Sequence, residues 1–216
     1  MTVPPDLEIV AERVKEKRQT FLEYNFGTLK DDFLKTFFDL AQEYETLENF
    51  YRICVSVVKE FFDLDSRLYL ICQENILELV CDSLHGLYQE KPKPPPYIKL
   101  SNQAYHAEQG WVIPIRGNQL LVDRLPFYTK DQVIGLLELF PGDQLSEKDR
   151  FFFEKFANRV GYNLHVKIIA FQNIQRIRFI NSLVADIEHN VIIPNISLSL
   201  YLRHLRQKIN TGRGPG

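Results

Sequence analysis

Cysteine is scarce in this chain. The three residues present, Cys54, Cys72 and Cys81, are widely spaced and each lies in an apolar run. An odd number with no CxxC pair and no zinc-ligand spacing argues against a disulfide framework or a zinc site. Three reduced, buried thiols are expected, with a redox-sensing thiol as the alternative. Long apolar runs are missing as well: Val133 to Leu137 falls far short of the roughly 20 residues that span a bilayer. Neither sign of charge dominates, 26 Lys+Arg standing against 28 Asp+Glu for a net charge of −2. No basic surplus points to nucleic acid or an anionic membrane. The N-terminal stretch with Pro4, Pro5, Asp6 and Glu8 lacks the pattern of a signal peptide, so a cytoplasmic chain is expected. A Gly-rich phosphate loop is also lacking, and no nucleotide or metal site is expected within the chain itself.

What is there is enough for a sizeable core: 45% of the 216 residues are hydrophobic, and one or two domains are expected. Residues 6 to about 43 read as helix, with a break at Tyr24-Asn25-Phe26-Gly27 in which Gly27 suits a helix C-terminus. Leu47 to Phe62 is amphipathic, built on Phe50, Ile53, Cys54, Val57, Val58 and Phe61. Short apolar segments come next at Leu68–Gln73, Ile76–Cys81, Trp111–Ile115, Gln119–Arg124 and Gln132–Phe140, with a hairpin turn at Arg116-Gly117-Asn118. Ser146 is placed to cap a helix running through Phe152, Phe156, Val160 and Leu164, with Asp149 completing a capping box. Between the second and third segments, Pro92, Pro94, Pro95 and Pro96 force a loop that lies over the sheet. Helix, antiparallel strands and helix make an α+β domain.

From about residue 166 the apolar positions step by threes and fours. Ile177, Ile180, Val184, Ile187, Val191, Pro194, Leu198, Leu202, Leu205 and Ile209 form one stripe. Such spacing over several heptads predicts a coiled coil or helical bundle, and a parallel homodimer, since a lone helix cannot bury its own seam. A helix turns by about 100° per residue, so His189, two positions from both Ile187 and Val191, is expected to point away from the seam. Pro194 cannot donate to the carbonyl of Asn190, which predicts a bend just past the histidine with a free carbonyl beside it. An outward imidazole in this setting suits acceptance of a phosphoryl group, because imidazoles titrate near about 6.5 and a neutral nucleophile is at hand at cellular pH.

The segment Asp186 to Asn195 resembles the H-box of sensor histidine kinases, with Phe179 upstream, His189, and Pro194 five residues on. The segment Val133-Ile134-Gly135-Leu136-Leu137-Glu138-Leu139-Phe140, then Leu145-Ser146 and Phe156-Ala157-Asn158-Arg159-Val160-Gly161, resembles a GAF domain over roughly residues 45 to 165. The order of the two is typical of sensor kinases. The resemblance implies an N-terminal helical segment (1–44), a GAF-like sensory domain (45–165) and the first helix of a dimerisation and phospho-acceptor domain (166–216), cut short. It implies His189 as phospho-acceptor, set among Asp186, Glu188, Asn190 and Pro194. ATP and Mg would be held on a catalytic domain outside this chain, and the recipient would be an Asp on a response-regulator receiver. The chain alone is then expected to be inactive toward ATP.

Two positions depart from the family pattern. Asn190 stands where an acid usually follows the histidine, and Asp186, three residues before it, is expected to take over as its electrostatic partner. Ile193 replaces a polar residue that helps dephosphorylate the receiver, so weak phosphatase activity is expected. The GAF resemblance also implies a small-molecule site under the proline-rich segment, with His85, Tyr97, Tyr105, His106 and Trp111 as lining candidates and the ligand unknown. The family's Cys-His bilin attachment and its cyclic-nucleotide signature are not recognisable, and a haem on His85 or His106 is one option. The alternatives are a non-catalytic GAF scaffold that only dimerises through its last helix, and an enzyme in the GAF pocket, such as a sulfoxide reductase using Cys72 or Cys81.

Overall fold

The structure, a computed structural model, describes residues 8–24, 26–72, 76–108, 110–117 and 132–211. The chain divides into two compact units, Met1–Lys167 and Ile168–Gly216. The first is an α+β unit in which helices α1 (Glu8–Tyr24), α2 (Thr28–Glu43) and α3 (Leu47–Phe62) precede an antiparallel sheet. Its six strands are β1 (Asp65–Ile71), β2 (Leu77–Asp82), β3 (Gly86–Leu87), β4 (Tyr105–Ala107), β5 (Gly110–Arg116) and β6 (Val133–Phe140), in the order β3-β2-β1-β6-β5-β4. Helix α4 (Glu147–Ile187) then runs out of the first unit.

Helix α3 has the bounds that its periodicity predicts. The Thr46 hydroxyl accepts the Asn49 N–H at 3.3 Å, and Asp63, in the left-handed region at φ 52°, ends the helix by donating its N–H to the Lys59 carbonyl. Phe50, Ile53, Cys54, Val57 and Val58, spaced by threes and fours, are all buried. Ser146 and Asp149 form the expected reciprocal cap, each side chain accepting the other's backbone N–H at 3.2 Å. Gly27, at φ 82°, instead of closing the preceding helix, stands as the N-cap of α2.

Helix α2 belongs to the core of the first unit. Phe33 and Phe37 are fully buried, and the Phe33 ring lies 5.6 Å from Phe61 on α3 and 4.8 Å from Phe156 on α4, both edge to face. The opposite face of the sheet carries a second cluster of Tyr69, Leu79, Ile98, Ala107, Val112 and Leu136, covered by the proline-rich segment. Strands β3 and β4, of two and three residues, have no counterpart among the expected segments. The expected strand at Gln119–Arg124, and Asn118 of the expected hairpin, lie outside the described residues. Gly117 is described, and its N–H donates to the Gln132 carbonyl at 2.9 Å.

Two glycines, Gly135 of β6 and Gly161 of α4, mark close backbone approaches. A Cβ on Gly135 would stand 2.3 Å from the Tyr69 carbonyl oxygen, and one on Gly161 would stand 1.9 Å from that of Arg116. Strand β6 and helix α4 reach their neighbours only because these positions have no side chain.

The second unit continues α4, widens to a π turn over Glu188–Ile192 and resumes as α5 (Ile193–Thr211). Among the described residues, no helix is long and apolar enough to cross a membrane.

Candidate functional site

In the second unit His189 sits inside the π turn and is exposed, as are the neighbouring stripe residues Ile187 and Val191. Its Nδ1 lies 3.1 Å from the Asn190 side-chain oxygen. An amide oxygen only accepts, so this contact is a hydrogen bond when Nδ1 carries a proton. Asp186, expected to partner the ring, makes no hydrogen bond or ion pair with it; the neighbouring Asn190 does so instead. Glu188 supplies the carbonyl that closes the π turn, accepting the N–H of Ile193, and Pro194 comes directly after. The stripe residues are open to solvent in the single chain, Ile180 and Val184 each 56% exposed and Leu198 also 56%.

In the first unit the face under the proline-rich segment carries a row of charges. Antiparallel pairing sets Arg67 of β1 opposite Asp82 of β2 on one side and opposite Glu138 of β6 on the other. Asp82 and Glu138 are each 2% exposed. The Arg67 guanidinium donates to Glu138 Oε2 at 3.4 Å and to the Tyr97 hydroxyl at 3.2 Å, while the Tyr69 hydroxyl donates to Oε2 at 2.8 Å. Burial, then the Glu138 charge, pushes the Tyr69 phenol far up, so it stays a donor.

Asp82 organises the turn after β2. Its carboxylate accepts the N–H groups of Leu84 and His85, the Tyr88 hydroxyl at 2.7 Å, and His85 Nδ1 at 3.1 Å. Burial alone would raise this carboxyl, but the bonds from His85, Tyr88 and Leu84 outweigh it and hold it below the usual carboxylate range. Tyr88, donating to a carboxylate, is pushed up to about 12. The proline-rich segment is fastened to the sheet by Tyr88 to Asp82, Tyr97 to Arg67, Lys91 to Glu78, and the Pro92 carbonyl to the Leu79 N–H at 3.1 Å.

The five expected lining residues do not converge. Tyr97, Tyr105 and His106 line one open groove of about 560 Å³ along edge strand β4, with Lys99 and Glu108. Trp111, the cross-strand partner of His106 on β5, does not line that groove; its ring lies 4.6 Å from the Arg150 guanidinium of α4 and 6.4 Å from the His106 ring. His85 stands on the β2–β3 turn against Asp82, and His106 Nε2 lies 3.1 Å from Asp143. The residues that sequence reasoning missed are Arg67, Asp82 and Glu138. Glu138 gave one usable signal, as the single charge in an otherwise apolar strand. Burial pushes the Cys72 and Cys81 thiols up to about 11, away from the thiolate that a thiol-dependent reductase needs.

No family model matches the chain, and no curated protein matches it.

Proposed function

We propose that this chain is the sensory and partial dimerisation region of a two-component sensor histidine kinase. Its α+β unit would be a GAF-like input domain and its long helix the first helix of the phospho-acceptor domain. His189 would accept a phosphoryl group from ATP, bound with Mg on a catalytic domain outside this sequence, and pass it to an Asp of a receiver. The observation that carries this reading is the exposed His189 in the turn before Pro194, on the helix that bears the apolar stripe, with the Asn190 side-chain oxygen 3.1 Å from its Nδ1. Phosphoryl transfer asks mainly for position and charge stabilisation, and an imidazole oriented by its neighbour would meet the acceptor's share of that demand.

The stripe supports a homodimer, since burying each of its aliphatic side chains is worth about 1.5–3 kcal/mol. Phe179, Leu183, Ile196 and Leu200 lie off the stripe and are also exposed, which suits a bundle better than a bare two-helix coil. In the first unit, the fastened segment above the charged row is where a small-molecule signal would be read.

The test supplies a histidine-kinase ATP-binding domain in trans with radiolabelled ATP. Acid-labile label is expected on the parent chain and on His204→Ala, and is lost in His189→Ala. Label that survives His189→Ala overturns the proposal. A non-catalytic scaffold that only dimerises is the second reading; Asn190 in place of an acid and Ile193 in place of a polar residue favour it. Absence of label on every variant would select it.

A further inference from the structure

The turn that carries His189 is not α-helical. Over Glu188–Ile192 the Ile193 N–H donates to the carbonyl five residues back, that of Glu188, rather than to the one four back. Such a turn holds one residue more than an α turn, so the helix beyond it is rotated by about 100° relative to an uninterrupted one.

The rotation falls on the stripe. In an unbroken α-helix Leu198, Leu202 and Leu205 line up with Ile177, Ile180, Val184 and Ile187. With the π turn in place, the face continuous with the upstream stripe passes to Asn195, Ser199, Arg203 and Arg206, and the leucines swing about 100° aside. The sequence is thus patterned for one helical phase while the turn imposes another.

Pro194 has no N–H to give, so the carbonyl it faces, that of Asn190 in the α register and of His189 in the π register, goes without that donor in either phase. The return from the wider spacing to the α spacing skips one further carbonyl, which counts against the π form. Against that, the pyrrolidine ring collides with the carbonyl four residues back in an α turn and is relieved in a wider one. The proline therefore favours the π form, and alignment of the two stripe halves favours the α form.

A second copy of the same helix is the occupant that fits. Eight stripe side chains, Ile177, Ile180, Val184, Ile187, Val191, Leu198, Leu202 and Leu205, are between 37% and 57% exposed. In the α form all eight share one face and, at roughly 100 Å² each, offer roughly 800 Å² per chain, the size of one side of a standard stable interface; in the π form only the five as far as Val191 do so, roughly 500 Å². The heptad step is also that of a self-paired seam.

We infer that the π turn is a register switch in the dimer. In the π form the two copies pair along the stripe only as far as the turn. In the α form they pair through it and α5 turns by about 100°. This rests on the homodimer of the proposed function.

The experiment is oxidative cross-linking of the full chain carrying one added cysteine, Val184→Cys, Leu198→Cys or Leu202→Cys, each with and without Pro194→Ala. The unsubstituted chain, with its three native thiols, is the blank. Val184→Cys is expected to cross-link to its counterpart in both backgrounds. Leu198→Cys and Leu202→Cys are expected to cross-link weakly with Pro194 present and at least about threefold more with Pro194→Ala, the change that a turn of about 100° requires. Equal cross-linking at Leu198 and Leu202 in the two backgrounds overturns the switch while leaving the dimer standing. No cross-link at Val184 in either background removes the dimer, and the switch with it.

Discussion

Asp82 takes four hydrogen bonds from three residues of its own turn, and a carboxylate so held resists protonation. Because its folded pKa lies below the unfolded value, its contribution to stability is complete above about pH 4 and fades as the pH falls through the folded pKa. Asp82→Asn should therefore flatten the acid limb of a stability-versus-pH curve. The check is urea unfolding between about pH 2 and 6; an acid limb identical to that of the parent would remove Asp82 from the account. The cross-strand row around Asp82 was not legible in the sequence. Arg67 meets Glu138 across a separation of 71 positions, and its match to Asp82 depends on a register shift between Leu68 and Tyr69. The place of His189 one turn before Pro194, two positions from both Ile187 and Val191, was legible as sequence spacing alone.

Among the elements, α3 and the capped start of α4 could be read directly, since their signals are local: threes and fours of apolar residues, and Ser146 three positions before Asp149. Strands β3 and β4 are too short to carry a period. Pro194 predicted the loss of one backbone donor, but not that the helix would answer by taking in an extra residue. Gly135 and Gly161 were visible as letters, and only the packing gives them a cause. Gly161→Ala would force a methyl group into the Arg116 carbonyl, which a backbone oxygen cannot yield to. It should destabilise the first unit by about 3 kcal/mol or more, given that overpacking typically costs about 1–3 kcal/mol even where side chains can shift. Thermal unfolding checks this; a variant as stable as the parent would mean that α4 does not approach β5 so closely.

The whole molecule combines a unit that satisfies itself with one that does not. The α+β unit buries its phenylalanines among α2, α3 and α4 and fastens its proline-rich segment over a charged row. Residues 168 to 208 leave their apolar side chains half exposed, and the stripe upstream of the π turn is continuous from Ile177 to Ile187. In the homodimer proposed above, a second copy laid along that stripe would cover it and leave the imidazole of His189 on the outside. Sedimentation equilibrium of the full chain at micromolar concentration tests this most directly. Two chains are predicted for the parent, and one for Ile180→Glu with Ile187→Glu, which place charges in the seam upstream of the turn. A parent that sediments as one chain would contradict the account.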